Sequence, residues 1–143
     1  MQLETRSPTV LLPGTLRLYL QSAAMYAYPR EACGLLIGRR MARQTEVFWA
    51  EEARNRNLLH TDRFELDPAD FVRADGHARA DHLDVVGVWH THPDHRARPS
   101  PFDLERAWEN WSYVILSVSA AGVVELRSWR LMGADFWEEA IEP

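Results

Sequence analysis

His90-Thr91-His92 places two imidazoles two residues apart at the end of the apolar run Val85-Val86-Gly87-Val88-Trp89. Residues two apart in an extended strand point the same way, so both rings face one point in space. Neutral imidazole nitrogen is a favoured zinc ligand, and a catalytic zinc takes three protein ligands and keeps a fourth position for water. Asp103 is available as the third: seven residues follow His92, then Ser100, Pro101-Phe102 and Asp103. The last four residues also have a plainer reading, as a helix start with Ser at N-cap, Pro at the first helical position and an acid at N3. Capping accounts for Ser100 and Asp103 but leaves the paired histidines unexplained, whereas one metal site accounts for both histidines and the aspartate.

Such groups need a scaffold that brings them together. Leu16, Tyr19, Leu20, Ala23, Ala24 and Ala27 recur at spacings of three and four and predict an amphipathic helix stopped at Tyr28-Pro29. Cys33 to Ile37, closed by Gly38, reads as a buried strand, and Arg43 to Ala50 as its hairpin partner. From Glu51 to Arg63 the composition turns polar and predicts a long loop, followed by a brief strand over Phe64 to Leu66. Asp67-Pro68 starts a helix carrying Phe71, Ala74 and Ala78 and reaching about Asp81. Val85 to Trp89 is the most strand-like segment. Residues 91 to 101, with three prolines, predict a loop, and Phe102 to Trp111 a helix. Val114 to Val118 and Val123 to Trp129 read as strands around Ala121-Gly122, and the tail from Ala134 as a short helix or strand. Helices alternate with strands early and a hairpin comes late, which predicts an α/β fold with a mixed sheet.

Composition removes several kinds of chemistry. A chain of 143 residues, 46% hydrophobic and 26% charged, fits one soluble globular domain over 1–143. Its formal charge of −5 argues against an electrostatic grip on nucleic acid or anionic lipid, and no apolar run approaches a membrane span. All 16 basic residues are arginine, which excludes a phosphate-loop lysine, a Schiff base and a lysine general base. The single cysteine, Cys33, excludes an internal disulfide and a four-cysteine cage and reads as a packed small residue. With no recognisable leader in the first residues, the expected location is the cytoplasm.

The spacing His-x-His, seven residues, Ser, two residues, Asp resembles the signature of the JAMM/MPN metalloproteases, which adds an upstream Glu. Glu31, just before the glycine-bounded stretch Ala32-Cys33-Gly34-Leu35-Leu36-Ile37-Gly38, matches that glutamate. With Asn55, the Arg63-Phe64 to Asp67-Pro68 stretch and the last two strands, the resemblance covers nearly all the chain from about residue 14. It implies a single-domain, cytidine-deaminase-like α/β fold, a mixed β-sheet flanked by helices. It implies one zinc ion per chain, held by His90, His92 and Asp103, with Glu31 as general base and Ser100 as donor to the oxyanion. Taken without the motif, Glu31 after Tyr28-Pro29-Arg30 would read as a solvated loop residue.

The resemblance also implies hydrolysis of a peptide or isopeptide bond after the Gly-Gly tail of a ubiquitin-like protein. The chain looks like the compact bacterial members, associated with ThiS- or MoaD-type sulfur carriers. The expected partner is therefore such a carrier, with the Glu51 to Arg63 loop as candidate edge for its tail, and the expected state is a monomer or weak homodimer. Two other readings are a non-catalytic MPN scaffold and a RadC-like protein associated with DNA repair. A zinc deaminase is excluded, since its Pro-Cys-x-x-Cys pair is missing. His95 lies beside the motif and reads as an exposed loop residue; His60, His77 and His82 show no facing partner, and the six tryptophans read mostly as core, with Trp89 packed behind its neighbouring ligand.

Overall fold

The computed structural model describes residues 7–57 and 65–143. Among them are seven strands and three helices: β1 (Thr9–Leu11), α1 (Gly14–Ala27), β2 (Cys33–Arg40), β3 (Gln44–Ala53), α2 (Pro68–Ala80), β4 (Asp84–Pro93), α3 (Pro101–Glu105), β5 (Ser112–Ser119), β6 (Gly122–Met132) and β7 (Asp135–Glu142). The sheet order is β1-β3-β2-β4-β5-β6-β7. β1 lies parallel to both β3 and β7, and β4 is parallel to β5; the other neighbours are antiparallel. The fold is thus mixed α/β as expected, but the sheet is not an open layer flanked by helices. Three residues, Thr9-Val10-Leu11, pair on both sides and close it into a barrel.

The two faces of the central strands feed two apolar clusters, with the alternation of β4 shifted where its pairing with β2 is irregular at Leu36/Ile37. Leu36, Val86, Trp89, Val114, Leu116 and Val118 pack with Leu20, Ala23 and Ala24 of α1. Leu35, Ile37, Val85, Val88 and Tyr113 pack with Ala74 and Ala78 of α2. β2, β4 and β5 are therefore buried on both faces, which is why their sequences read as continuous apolar runs. Trp89 is fully buried in the first cluster, whereas Trp108 and Trp137 are exposed, against the expectation of core for them.

Both helix starts read from the sequence form. Asp67 Oδ1 accepts the N–H of Ala69 at 2.9 Å, with Pro68 in the first turn of α2. Three expectations need correction. β3 continues to Ala53, and Asn55 bridges Leu66, so the polar stretch from Glu51 begins in strand; residues 58–64, with His60, Arg63 and Phe64, lie outside the described residues. β4 runs on through His90-Thr91-His92-Pro93, so the irregular loop starts only after Pro93. Finally, α3 stops at Glu105 instead of Trp111: the hydroxyl of Tyr113 accepts the Trp108 N–H at 2.6 Å, and Asn110 takes a left-handed backbone (φ 66°).

A polar cluster lies where β3, β5, β6 and β7 meet. Arg130 Nε stands 3.3 Å from Glu139 Oε2, both buried, while Ser112 and Ser128 donate to the same carboxylate. Burial pushes the Glu139 carboxyl up, and the hydroxyl and guanidinium partners oppose that shift. No helix among the described residues is long and apolar enough to cross a membrane.

Candidate metal centre

Strand alternation does what the sequence requires of it. His90 and His92 extend from the same side of β4, with ring centroids 4.9 Å apart and their Nε2 atoms 3.1 Å apart. Asp103 reaches them from the first turn of α3, its Oδ2 standing 3.4 Å from each Nε2. All three residues are buried. The capping reading of Ser100 to Asp103 is borne out, and the same turn brings Asp103 to the two histidines. Ser100 Oγ accepts the Asp103 N–H at 3.0 Å and Asp103 Oδ2 accepts the Ser100 N–H at 2.8 Å, a complete capping box. The cap is the device that fixes the aspartate facing the histidines.

The orientation of the His92 ring follows from its neighbour. Its Nδ1 lies 2.7 Å from the carbonyl oxygen of Arg96, which can only accept, so Nδ1 carries a proton and Nε2 is the atom turned to His90 and Asp103. Burial lowers the pKa of His90, opposed by Asp103, and so favours the neutral imidazole that a metal requires. Burial alone would raise Asp103, but hydrogen bonds to His90, His92 and the Ser100 N–H outweigh it and hold the carboxyl far below the usual range. Two imidazole nitrogens and one carboxylate oxygen, separated by 3.1 to 3.4 Å, form a triangle. A tetrahedral zinc site with ligand bonds of ~2.0–2.1 Å has edges of about 3.3–3.4 Å, so the donor set fits such an ion in both kind and spacing. The cluster can hold a metal ion.

The loop after β4 is irregular but tethered. Asp94, with a left-handed backbone (φ 59°), donates its N–H to the Val118 carbonyl at 2.7 Å and accepts the Tyr28 hydroxyl at 2.9 Å. Ser117 Oγ donates to the His95 carbonyl, the Ala97 N–H donates to Glu125, and Trp129 Nε1 donates to the Ala97 carbonyl. These bonds place the Arg96 carbonyl beneath His92. His95 itself is exposed, as expected.

Glu31 is buried rather than solvated, in the short segment between α1 and β2. A cavity of about 340 Å³ is lined by Glu31, His92, Pro93, His95, Arg96, Arg98 and Ser100, so it brings Glu31 and Ser100 to one space beside the metal cluster. On the other side of Asp103 lies an apolar cavity of about 480 Å³ walled by Leu35, Phe71, Phe102, Trp108 and Trp111. Cys33 takes no part: burial pushes its thiol up to about 12, with Glu31 adding to the shift. His77, read as unpartnered, faces Glu51 at 2.9 Å. The Arg96 carbonyl and the Thr91 hydroxyl were not singled out from sequence; the first is main chain and leaves no residue-type signal, and the second lay unread inside the motif.

Residues 16–132 match the family model described as prokaryotic homologs of the JAB domain. A desampylase from Pyrococcus furiosus is 34% identical over 101 residues, 71% of this chain and 66% of that protein. A desampylase from Haloferax volcanii is 34% identical over 90 residues, 62% and 63%. The chain thus spans just under two thirds of the length of these relatives. A solved structure from Desulfitobacterium hafniense superposes with a TM-score of 0.81 at 29% identity, covering 93% of this chain and 91% of that one. With a match over that much of its length and a buried His-x-His and Asp cluster at its centre, the chain belongs to the prokaryotic JAB-domain family.

Proposed function

We propose that the protein is a zinc-dependent peptidase that hydrolyses a peptide or isopeptide bond after the Gly-Gly tail of a ubiquitin-like protein, with a ThiS- or MoaD-type sulfur carrier as the substrate class. The observation that carries the reading is the buried triangle of His90, His92 and Asp103 opening beside Glu31 and Ser100 in a chain of this family. The similarity to proteins named desampylases supports a ubiquitin-like substrate. His90, His92 and Asp103 would hold the ion. The chemistry that zinc supplies when bound is Lewis acidity towards water and the scissile carbonyl.

This chain's own groups do the rest. Glu31 takes a proton from the attacking water and passes it to the leaving amine as the carbon–nitrogen bond breaks, giving a carboxylate and a free amine. Ser100 Oγ spends one lone pair on the Asp103 N–H, and its hydroxyl proton serves the oxyanion that develops on the carbonyl oxygen. An extended tail can join a sheet edge. Among the described residues β1 covers β3 only at Gln44–Glu46, so the outer edge of β3 beyond Glu46 is the proposed docking edge. It ends at Ala53, which pairs with Cys33, the partner of His90, and so leads to the metal centre.

The test is incubation of the zinc-loaded protein with a sulfur carrier extended beyond its Gly-Gly end. Release of the extension by the parent protein and none by Glu31→Gln, with zinc content equal in the two, is the expected result. An extension left intact by the zinc-loaded protein counts against the reading, as does a Glu31→Gln variant that cuts at the parent rate.

A further inference from the structure

Glu31 sits on a segment without regular structure. α1 ends at Ala27, β2 begins at Cys33, and Cys33 is paired with His90. One step outward, Ala32 faces Thr91, and the ladder there is half side chain. The Thr91 N–H donates to the Ala32 carbonyl at 3.0 Å, but the Ala32 N–H donates to Thr91 Oγ1 at 2.8 Å. The same peptide unit is held from its other end: its carbonyl, that of Glu31, accepts Asn55 Nδ2 at 3.4 Å. A peptide unit is planar, so gripping both its N–H and its C=O fixes the plane and with it the direction in which the Glu31 Cα sends its side chain.

We propose that Thr91 is the positioning residue for Glu31, its hydroxyl clamping the Glu31–Ala32 peptide in register with His90 and His92 while Asn55 closes the clamp from β3's end. This rests on the reading of Glu31 as general base. Thr91 is fully buried between the two histidines, so water cannot replace its hydroxyl as acceptor for the Ala32 N–H. Valine has the same shape and β-branching and suits a strand equally well, which isolates the oxygen as the operative atom. Because Thr91 belongs to the strand bearing both histidines, the clamp ties the base directly to the proposed ligands instead of through the core.

Thr91→Val, Thr91→Ser and Asn55→Ala test it, with Glu31→Gln alongside, using a sulfur carrier fused to a fluorescent peptide beyond Gly-Gly. Amide hydrogen exchange at Ala32 provides a readout independent of turnover. In Thr91→Val that exchange should accelerate at least about tenfold. Its kcat should fall about 100-fold, the scale of an ångström-sized misplacement, with KM and zinc content unchanged. Thr91→Ser should restore both. Asn55→Ala, which removes the longer bond together with the two that Asn55 Oδ1 accepts from the Asn57 and Glu65 N–H groups, should lower kcat less and also leave KM unchanged. Wild-type kcat in Thr91→Val, or kcat falling there only in step with lost zinc, overturns the proposal. Wild-type kcat in Asn55→Ala overturns the clamp whether or not Thr91→Val folds. Turnover by Glu31→Gln at the parent rate instead overturns the general-base reading itself, which separates the two failures.

Discussion

Asp103 Oδ2 accepts the backbone N–H of Ser100 at 2.8 Å while standing 3.4 Å from the Nε2 atoms of His90 and His92. One carboxylate oxygen therefore caps a five-residue helix and faces the metal cluster. Ser100 holds its side of that cap through Oγ, the same atom proposed to serve the oxyanion, and the two duties can be separated. Glycine at an N-cap costs only a few tenths of a kcal/mol relative to serine, whereas alanine costs about 1. Ser100→Gly should therefore melt near the parent protein, and Ser100→Ala somewhat lower. Both should lose about 10²–10³ in kcat, the usual loss for one oxyanion donor. Equal kcat in parent and Ser100→Gly would show that the hydroxyl is only a cap.

Metal addition and removal should be visible in stability as well as activity. An ion that binds the folded state alone stabilises it by about 2.7 kcal/mol at a hundredfold excess over Kd. For a domain of this size that is a rise of about 5–10 °C in Tm. Differential scanning fluorimetry of metal-stripped protein with added zinc should show the rise, and a chelator should reverse it. Asp103→Ala and His90→Ala should show none, because the remaining pair cannot complete the set.

Asp70 supplies a pH signature away from the His90, His92 and Asp103 cluster. Its carboxylate accepts the Arg54 N–H at 2.7 Å and pairs with Arg73 at 2.6 Å. The Arg54 N–H and the two guanidiniums hold it at about 2 despite burial. A depressed carboxyl contributes stability that is fully present above the unfolded value of about 3.9 and is lost as pH falls through the folded value. The arginine partners are more than half exposed, so solvent screening reduces the contribution to about 1–2 kcal/mol. Urea melts of the parent and Asp70→Asn should differ by that much at pH 7 and converge as the pH approaches 2. A gap that is constant between pH 7 and pH 2.5 would assign the effect to packing.

The convergence of His90, His92 and Asp103 was legible in the sequence because its logic is local. Two residues apart on a strand and three apart at a helix cap are spacings that backbone geometry turns directly into positions. The elements that failed are decided by distant partners. Thr9-Val10-Leu11 forms a strand only because β3 and β7 flank it, and nothing in three residues announces that. Trp108 and Trp111 continue the apolar pattern of α3, yet the Tyr113 hydroxyl takes the Trp108 N–H and the helix ends. Glu31 taken without the motif would read as solvated, because the residues that share its cavities come partly from the loop after β4 and the end of β3, neither adjacent in sequence.

Two glycines of the same composition class should respond oppositely to alanine. A Cβ on Gly34 would fall 2.0 Å from the Glu51 carbonyl oxygen and 2.3 Å from Trp89 Nε1. The first atom belongs to the partner strand of the β2–β3 ladder, and Trp89 is buried and donates to that same oxygen at 3.2 Å. Neither can yield without opening the sheet beside the segment that carries Glu31. Gly34→Ala should cost about 3 kcal/mol or more, at the upper end of overpacking, and weaken zinc retention with it. Gly76, exposed within α2, has nothing within 4 Å of the added Cβ. There alanine removes unfolded-state freedom and suits the helix, so Gly76→Ala should gain about 0.5–1 kcal/mol. Chemical denaturation of both variants checks the pair: a Gly34→Ala chain as stable as the parent would mean that β2 and β3 stand further apart at Glu51 than described.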